Sequence, residues 1–197
     1  MSGSRTSRIQ RKTTETEIDL EIDLDGSGAC KVETGIGFFD HMLNAFSRHG
    51  LLDLEVACRG DLEVDAHHTV EDIGICLGMG VSEALSTKSG ISRFGHSYVP
   101  MDEALARCCI DLSGRPYLVY NADFSQEMVG VFPTALCEEF FRSMAVHGQM
   151  NLQIDLIRAT NAHHGVEAIF KAVARALRMA CEPDPRVGGI PSTKGVL

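Results

Sequence analysis

Two copies of one short motif hold the residues of this chain that are best suited to chemistry. The stretch DAHHTVED begins at Asp65 and the stretch NAHHGVEA begins at Asn161, and each places two adjacent histidines three residues ahead of a glutamate. His67 and His163 lie 96 residues apart, about half of a chain of 197 residues. A recurrence at half the chain length indicates an internal duplication.

Imidazole and carboxylate groups at this spacing predict metal ligands. On a helix, positions i and i+4 lie about 40° apart around the axis, so the three side chains of each motif fan over one helix end. The two adjacent histidines point about 100° apart, which suits two ions better than one. Each motif is therefore predicted to contribute to two metal sites, which the other half or another subunit completes.

A third ligand position recurs upstream of each motif. Aligning the His-Gly pairs that end the preceding helices gives an offset of 98 residues, which carries His41 in FFDHML onto Glu139 in LCEEFF. The candidate ligands are nitrogen and oxygen donors, namely His41, His67, His68, Glu71, Glu139, His163, His164 and Glu167. They favour six-coordinate Mn²⁺, with Fe²⁺, Ni²⁺ or Zn²⁺ as alternatives, and no cysteine supports a thiolate zinc site. The residue order also differs from HExxH, so a zinc protease is not predicted.

The elements around these motifs repeat in the same order. In each half a helix ends at His-Gly, a strand follows, and a second helix opens with the HHxxE residues. Alternating acidic and aliphatic residues in EIDLEIDL predict a strand with one wet face, and the turn DGSG follows it. We predict helices over residues 40–49, 67–86, 134–147 and 163–181, pseudo-repeats over residues 11–90 and 91–182, and an irregular tail over residues 183–197.

The composition excludes several classes of protein. A net charge of −9 argues against nucleic acid as a partner, because binding phosphates needs a basic surface. No apolar run approaches the length of a membrane span. Seven cysteines without a CxxC pair indicate reduced thiols and a cytoplasmic location. The first ten residues are basic and serine-rich, which predicts a loose tail rather than a signal peptide.

Six stretches of the chain resemble the imidazoleglycerol-phosphate dehydratase family. They are TGIGFFDHML, DAHHTVED, SRFG, DLSGRPY, NAHHGVEAIFKAVARAL and PSTKGVL, and the resemblance runs from about Arg11 to Leu197. It implies an α+β fold of two duplicated half-domains, with helices sandwiched between two four-stranded mixed sheets. It also implies a homo-oligomer of twenty-four subunits organised by Mn²⁺, with two ions in each active site and active sites at subunit contacts.

The resemblance places the candidate ligands on family ligand positions, with one departure. Five histidines and two glutamates match family ligands, whereas Glu139 stands where the family pattern has histidine, giving EEFF instead of EHFF. Glutamate can bind Mn²⁺, so Glu139 keeps its assignment as a ligand. Gln153 also replaces a family histidine, and we interpret it as an exposed strand position rather than a site residue.

The reaction implied by the resemblance removes water from D-erythro-imidazole-glycerol phosphate and yields imidazole-acetol phosphate in histidine biosynthesis. A metal ion would act as a Lewis acid on the imidazole ring, and the catalytic candidates are Glu15, Glu71 and Glu167, with Glu15 and Glu167 as proton shuttles. The phosphate of this small substrate would be held by Arg93, Arg115, Lys171, Ser192 and Lys194. Two other functions stay open, a metal-dependent hydrolase or cyclohydrolase acting on an imidazole-like phosphate and a metal storage or sensing protein.

Overall fold

Two four-stranded sheets enclose a layer of helices in the computed structural model, which describes residues 5–197. The first half contains β1 (Thr6–Lys12), β2 (Thr16–Asp23), β3 (Cys30–Glu33), α1 (Gly37–Gly50), β4 (Asp53–Gly60) and α2 (His67–Leu85). The second half contains β5 (Phe94–Met101), β6 (Ala104–Asp111), β7 (Tyr117–Asn121), the short β8 (Met128–Val129) and β9 (Phe132–Pro133), α3 (Leu136–His147), β10 (Asn151–Arg158) and α4 (Ala162–Cys181).

The two sheets have the same topology. The strand order of the first sheet is β1-β2-β4-β3, and that of the second is β5-β6-β10-β7. In each sheet three strands pair antiparallel, and the last strand in the order pairs parallel to its neighbour. The structure confirms the predicted α+β fold of two duplicated halves with mixed sheets. The two sheets share a topology because the sequence repeats the same order of elements.

Alternating residues give each sheet one face for the core and one for solvent. In β2 the side chains of Ile18, Leu20 and Ile22 are buried, and the acidic residues between them lie on the opposite face. Residues of a strand point alternately to the two faces of the sheet, so a period of two produces this division. The buried faces of both sheets then cover the helices.

The helices pair across the two halves. Helix α1 packs against α4, and α2 packs against α3. At the second contact Gly74 and Gly78 of α2 lie so close to α3 that an added Cβ would stand 2.6 Å from the carbonyl oxygens of Phe140 and Met144. A stack of Phe140 on Phe170, with ring centroids 5.2 Å apart, joins α3 to α4. The two halves therefore share one core.

The prediction of a loose tail over residues 1–10 is wrong for its described part. Residues 6–12 form β1, which pairs with β2 along its whole length. Ile9 is buried and is the one aliphatic residue of the strand, so the charged residues around it conceal the alternating pattern. Residues 1–4 lie outside the described residues. Within residues 5–197, no helix is both long enough and apolar enough to cross a membrane.

Candidate functional site

The two HHxxE motifs lie at the first turns of α2 and α4. The side chain of Asn161 accepts a hydrogen bond from the backbone N–H of His163 at 2.9 Å and caps α4. Asp65 accepts from the backbone N–H of His67 at 2.7 Å in the same way. Capping oxygens of this kind satisfy the free N–H groups of a first helical turn. The flanking residue of α2 is Ala66, which has no capping side chain, so Asp65 acts from one residue further upstream; both hydrogen bonds fix the start of the helix from which the histidines project.

Three predicted ligands come together where α1 meets α4. The ligand atoms of His41, His163 and Glu167 all lie within 4.8 Å of one another, and among residues 5–197 no other such group of three or more is found. Glu167 Oε2 lies 3.4 Å from His41 Nε2 and 3.2 Å from His163 Nε2. The other oxygen, Oε1, lies 2.6 Å from the ammonium nitrogen of Lys171. One half contributes His41 and the other half contributes the rest, so the cluster needs both halves.

The carboxylate of Glu167 is buried and ionised. Burial alone would raise its pKa, but the hydrogen bond and charge of Lys171, together with His41, outweigh burial and hold the pKa below its ordinary value. The side chain is 8% exposed and that of Lys171 is 15% exposed. The cluster therefore offers two imidazole nitrogens and one negatively charged oxygen in a largely enclosed place.

The corresponding residues of the first motif are more open. Glu71 Oε2 lies 3.6 Å from His67 Nε2, and both side chains are more than two fifths exposed. Glu139 lies in the first turn of α3, where its Oε2 is 3.6 Å from Nε of Arg142. Although α3 packs against α2, these residues do not form a compact trio within the described part of the chain. Their role as ligands stays a prediction.

The second histidine of each motif lies beside two acidic residues, and three of these four, Asp61, Asp102 and Glu103, are not predicted from the sequence. His68 Nδ1 lies 2.9 Å from Asp61, and its Nε2 lies 3.7 Å from Glu15. His164 repeats the arrangement, with Nδ1 2.8 Å from Glu103 and Nε2 3.7 Å from Asp102. Glu15 follows β1 and the Asp102–Glu103 pair follows β5. Asp102 and Glu103 lie 87 and 88 residues after Glu15, so the repeat offset of 96 to 98 does not reveal them, and no signal in the sequence points to Asp61.

These contacts shift the pKa values of both histidines and of Glu103. The hydrogen bond with Asp61 raises the pKa of His68, and that with Glu103 raises the pKa of His164. In return, His164 and the backbone N–H of Asn161 lower the pKa of Glu103 to about 2. The carboxylate of Glu103 is therefore ionised at neutral pH.

Four of the predicted phosphate-binding residues lie near one end of the second sheet. Arg93 donates to Asp111 at 2.7 and 3.1 Å and to the carbonyl of Pro191 at 2.8 Å, which ties the tail to this end. The other three are the exposed Arg115 of the β6–β7 loop and the tail residues Ser192 and Lys194. A Cβ on Gly114 would stand 2.5 Å from the carbonyl carbon of Leu197, so the end of the tail reaches the loop of Arg115.

Lys171 stands apart from those residues. Its ammonium group approaches Met101 at the last residue of β5, whereas Arg93 immediately precedes the first residue of β5. Seven residue steps of a strand span about 23 Å. Within one chain, Lys171 therefore belongs to the histidine cluster and not to the other cations. Gln153 lies on the strand β10 as predicted, but it is half-buried rather than exposed, and its amide donates to Asn151 at 2.7 Å.

The fold and the site together define a duplicated α+β sandwich with a histidine–carboxylate cluster between its halves. The family model of imidazoleglycerol-phosphate dehydratase matches residues 34–177. The chain belongs to this family, as the sequence resemblance predicted.

Individual relatives agree with the family assignment. An imidazoleglycerol-phosphate dehydratase from Neisseria gonorrhoeae is 52% identical over the whole chain, which spans 65% of that relative's length. One from Paracoccus denitrificans is 53% identical over 98% of this chain and 100% of its own. The crystal structure of the Staphylococcus aureus enzyme superposes with a TM-score of 0.82 at 43% identity, covering 90% of this chain and 99% of that one. The last comparison confirms the predicted fold.

Proposed function

We propose that this chain is a hydro-lyase that converts D-erythro-imidazole-glycerol phosphate into imidazole-acetol phosphate and water in histidine biosynthesis. The observation that carries the proposal is the cluster of His41, His163 and Glu167 in a chain of the dehydratase family. We further propose Mn²⁺ as the cofactor, with two ions in each active site. The cytoplasmic location stays a prediction.

The donor atoms of the cluster fit this cofactor. Imidazole nitrogen and carboxylate oxygen are ligands that Mn²⁺ accepts, and no cysteine thiolate lies in the cluster to favour a softer metal. Three protein ligands leave further positions of a six-coordinate ion for other subunits or for substrate. When bound, the ion would supply Lewis-acid stabilisation of negative charge on the imidazole ring of the substrate.

The chain's own carboxylates divide into ligands and proton carriers. Both oxygens of Glu167 already face partners, with Lys171 on one and two histidines on the other, which suits a fixed ligand better than a proton shuttle. Glu15 is half exposed on a turn 3.7 Å from His68 Nε2. We assign to Glu15 the transfer of the proton from the second carbon of the glycerol chain to the hydroxyl group that departs from the carbon attached to the ring, so that water leaves and the resulting enol becomes the ketone.

The separation of the phosphate-binding candidates supports active sites made at subunit contacts. Arg93 and its neighbours lie about 23 Å along β5 from Lys171 and the cluster, and a substrate this small does not bridge such a distance. A second copy of the chain, bringing its arginine end to the cluster of the first, would complete one site. We propose the homo-oligomer of twenty-four subunits that the family resemblance implies.

The oligomer proposal is tested by measuring particle mass with and without a strong chelator. If the ligands come from different subunits, removing the metal should shrink the particle, and adding Mn²⁺ should restore it. A particle of constant mass would mean that each metal site closes within one chain.

The activity is tested with the substrate itself. Protein loaded with Mn²⁺ is incubated with D-erythro-imidazole-glycerol phosphate, and imidazole-acetol phosphate is quantified beside a metal-stripped sample. Loss of a general acid–base group costs about 100-fold or more, so Glu15→Gln should be that much slower. Glu17→Gln is the matched control, because Glu17 lies two residues away and pairs with Lys12 on the outer face of β2.

Other outcomes would favour the rival functions. Incorporation of water into the product would indicate a hydrolase or cyclohydrolase, and tight metal binding without turnover would indicate storage or sensing. Equal rates for the two glutamine variants would remove Glu15 from the mechanism.

A further inference from the structure

The second histidine of each motif has its Nδ1 atom against a carboxylate. Nδ1 of His68 lies 2.9 Å from Asp61 Oδ2, and Nδ1 of His164 lies 2.8 Å from Glu103 Oε2. An ionised carboxylate only accepts hydrogen bonds, so the ring nitrogen at this distance is the one that carries the proton. The neutral ring then has its lone pair on Nε2.

The two contacts do not follow from the duplication. Asp61 comes directly after β4, whereas Glu103 lies in the turn between β5 and β6. These two positions are 42 residues apart in the chain, and the repeat aligns residues that are 96 to 98 apart. The same ring contact is therefore supplied by different elements in the two halves. Duplication would have copied one carboxylate position into both halves, so it does not explain two different positions. A requirement for a carboxylate at Nδ1 does explain them.

Each carboxylate is held in place. Glu103 also accepts from the backbone N–H groups of Thr160 and Asn161 at 3.2 and 2.8 Å, which fixes it to the start of α4. The side chain of Asp61 is 19% exposed. Its second oxygen, Oδ1, is fully enclosed and has no hydrogen-bond partner among the described residues. Within residues 5–197, the contact with His68 is therefore the one side-chain hydrogen bond of this carboxylate.

The opposite nitrogen of each ring, Nε2, lies near one further carboxylate. Nε2 of His68 lies 3.7 Å from Glu15, and Nε2 of His164 lies 3.7 Å from Asp102. Both distances are longer than a hydrogen bond, so neither carboxylate is hydrogen-bonded to Nε2. Nε2 is thus the atom left available for a cation.

We propose that Asp61 and Glu103 are positioning residues that keep the proton on Nδ1 of His68 and His164 and present Nε2 to the metal. This role rests on the metal-dependent function proposed above. Partners of this kind fix both the tautomer and the orientation of a ligand histidine, and their loss typically weakens metal binding by about 10-fold to 100-fold.

The test measures Mn²⁺ affinity directly, from the paramagnetic resonance signal of free Mn²⁺ during titration of the full-length protein. Asp61→Ala should bind Mn²⁺ at least about tenfold more weakly. Asp61→Asn keeps an oxygen that can accept from Nδ1 and should stay within about threefold of the unmodified protein. Glu63→Ala is the matched control, because it removes an exposed carboxylate from the same loop and should leave the affinity unchanged.

Glu103→Gln and Glu103→Ala repeat the comparison at the other ring. Melting temperatures in chelator accompany every variant, because Glu103 also supports the start of α4 and its loss alters stability as well. The expected pattern is weaker metal binding by the alanine variants with rescue by the amide variants. That pattern does not follow from a loss of stability alone.

The outcomes separate this inference from the proposed function. If the unmodified protein binds Mn²⁺ and the alanine variants bind it equally well, the positioning role is wrong while the metal function stands. If the amide variants are as weak as the alanine variants, the negative charge acts rather than the hydrogen bond, and the positioning role is again wrong. If the unmodified protein binds no Mn²⁺, both proposals fail together.

Discussion

Removing the ammonium group beside Glu167 should destabilise the metal-free protein strongly. Lys171 Nζ lies 2.6 Å from Glu167 Oε1, and the two side chains are 15% and 8% exposed. Breaking a buried ion pair by removing one partner costs about 3–5 kcal/mol, because an uncompensated charge stays behind. We expect Lys171→Met to cost about 3 kcal/mol, the lower end, since the lysine retains some contact with water and His41 and His163 adjoin the other carboxylate oxygen.

The expected effect on thermal unfolding follows from the size of the chain. For a domain of this length, 1 kcal/mol corresponds to about 2–4 °C, so Lys171→Met should lower the melting temperature by about 6–12 °C. Methionine retains most of the apolar stem, which separates the loss of charge from the loss of packing. Circular dichroism in chelator, at equal protein concentrations, gives the comparison.

Adding Mn²⁺ should remove most of the difference in melting temperature between Lys171→Met and the unmodified protein. Mn²⁺ at Glu167 provides the positive charge that lysine supplied, so saturating Mn²⁺ should bring the two melting temperatures closer together. Lys194→Met is the control, because Lys194 is exposed on the tail and the same substitution there leaves no buried charge. Melting of Lys171→Met within about 2 °C of the unmodified protein in chelator would refute the reasoning about the ion pair. A gap that Mn²⁺ leaves unchanged would refute metal binding at Glu167.

Two further predictions concern the scaffold. A Cβ on Gly95 would stand 1.9 Å from the carbonyl oxygen of Ala176, so Gly95→Ala must push α4 away from β5 and should cost about 1–3 kcal/mol in urea unfolding. Gly37→Ala, which has no atom within 4 Å of the new Cβ, should cost nothing measurable, and equal midpoints for the two variants would contradict the packing argument. On the outer face of the first sheet, hydrogen bonds from Arg8 and Gln10 lower the pKa of Asp19 to about 2. Because this folded-state pKa lies below the unfolded value of about 3.9, the stabilisation is complete above that pH and is lost as the pH falls through about 2. Asp19→Asn should therefore lower the melting temperature at pH 7, and the difference from the unmodified protein should shrink between pH 4 and pH 2; a difference independent of pH would be evidence against this origin.

The sequence predicts regular features well because periodicity reports them directly. Residue spacing predicts the four helices and the strand β2. The internal repeat predicts the order of elements in each half. Periodicity does not predict strand β1, because Ile9 is the one apolar residue on its buried face. Pairing with β2, rather than any local pattern, makes residues 6–12 a strand.

Some residues of the candidate site can likewise be predicted from the sequence and others cannot. The types and spacing of His41, His163 and Glu167 predict them as ligands, and the packing of α1 on α4 brings the three side chains together. Asp61 and Glu103 were missed because turn geometry creates their contacts and turns have no period to detect. Nor does the sequence predict that Arg93 and Lys171 lie at opposite ends of β5, since that depends on which strand lies beneath which helix.

The crossed pairing of helices affects how this chain can change over time. His41 of one half meets His163 and Glu167 of the other, so a half-length ancestor would have built the same cluster by associating with an identical copy. In such a dimer, any substitution at the position of His41 would alter both clusters at once. In the single chain the two equivalent positions are separate residues, so each can differ without altering the other. Glu139 occupies in the second half the position that His41 occupies in the first, and the cluster of His41 keeps its imidazole regardless of the residue at 139.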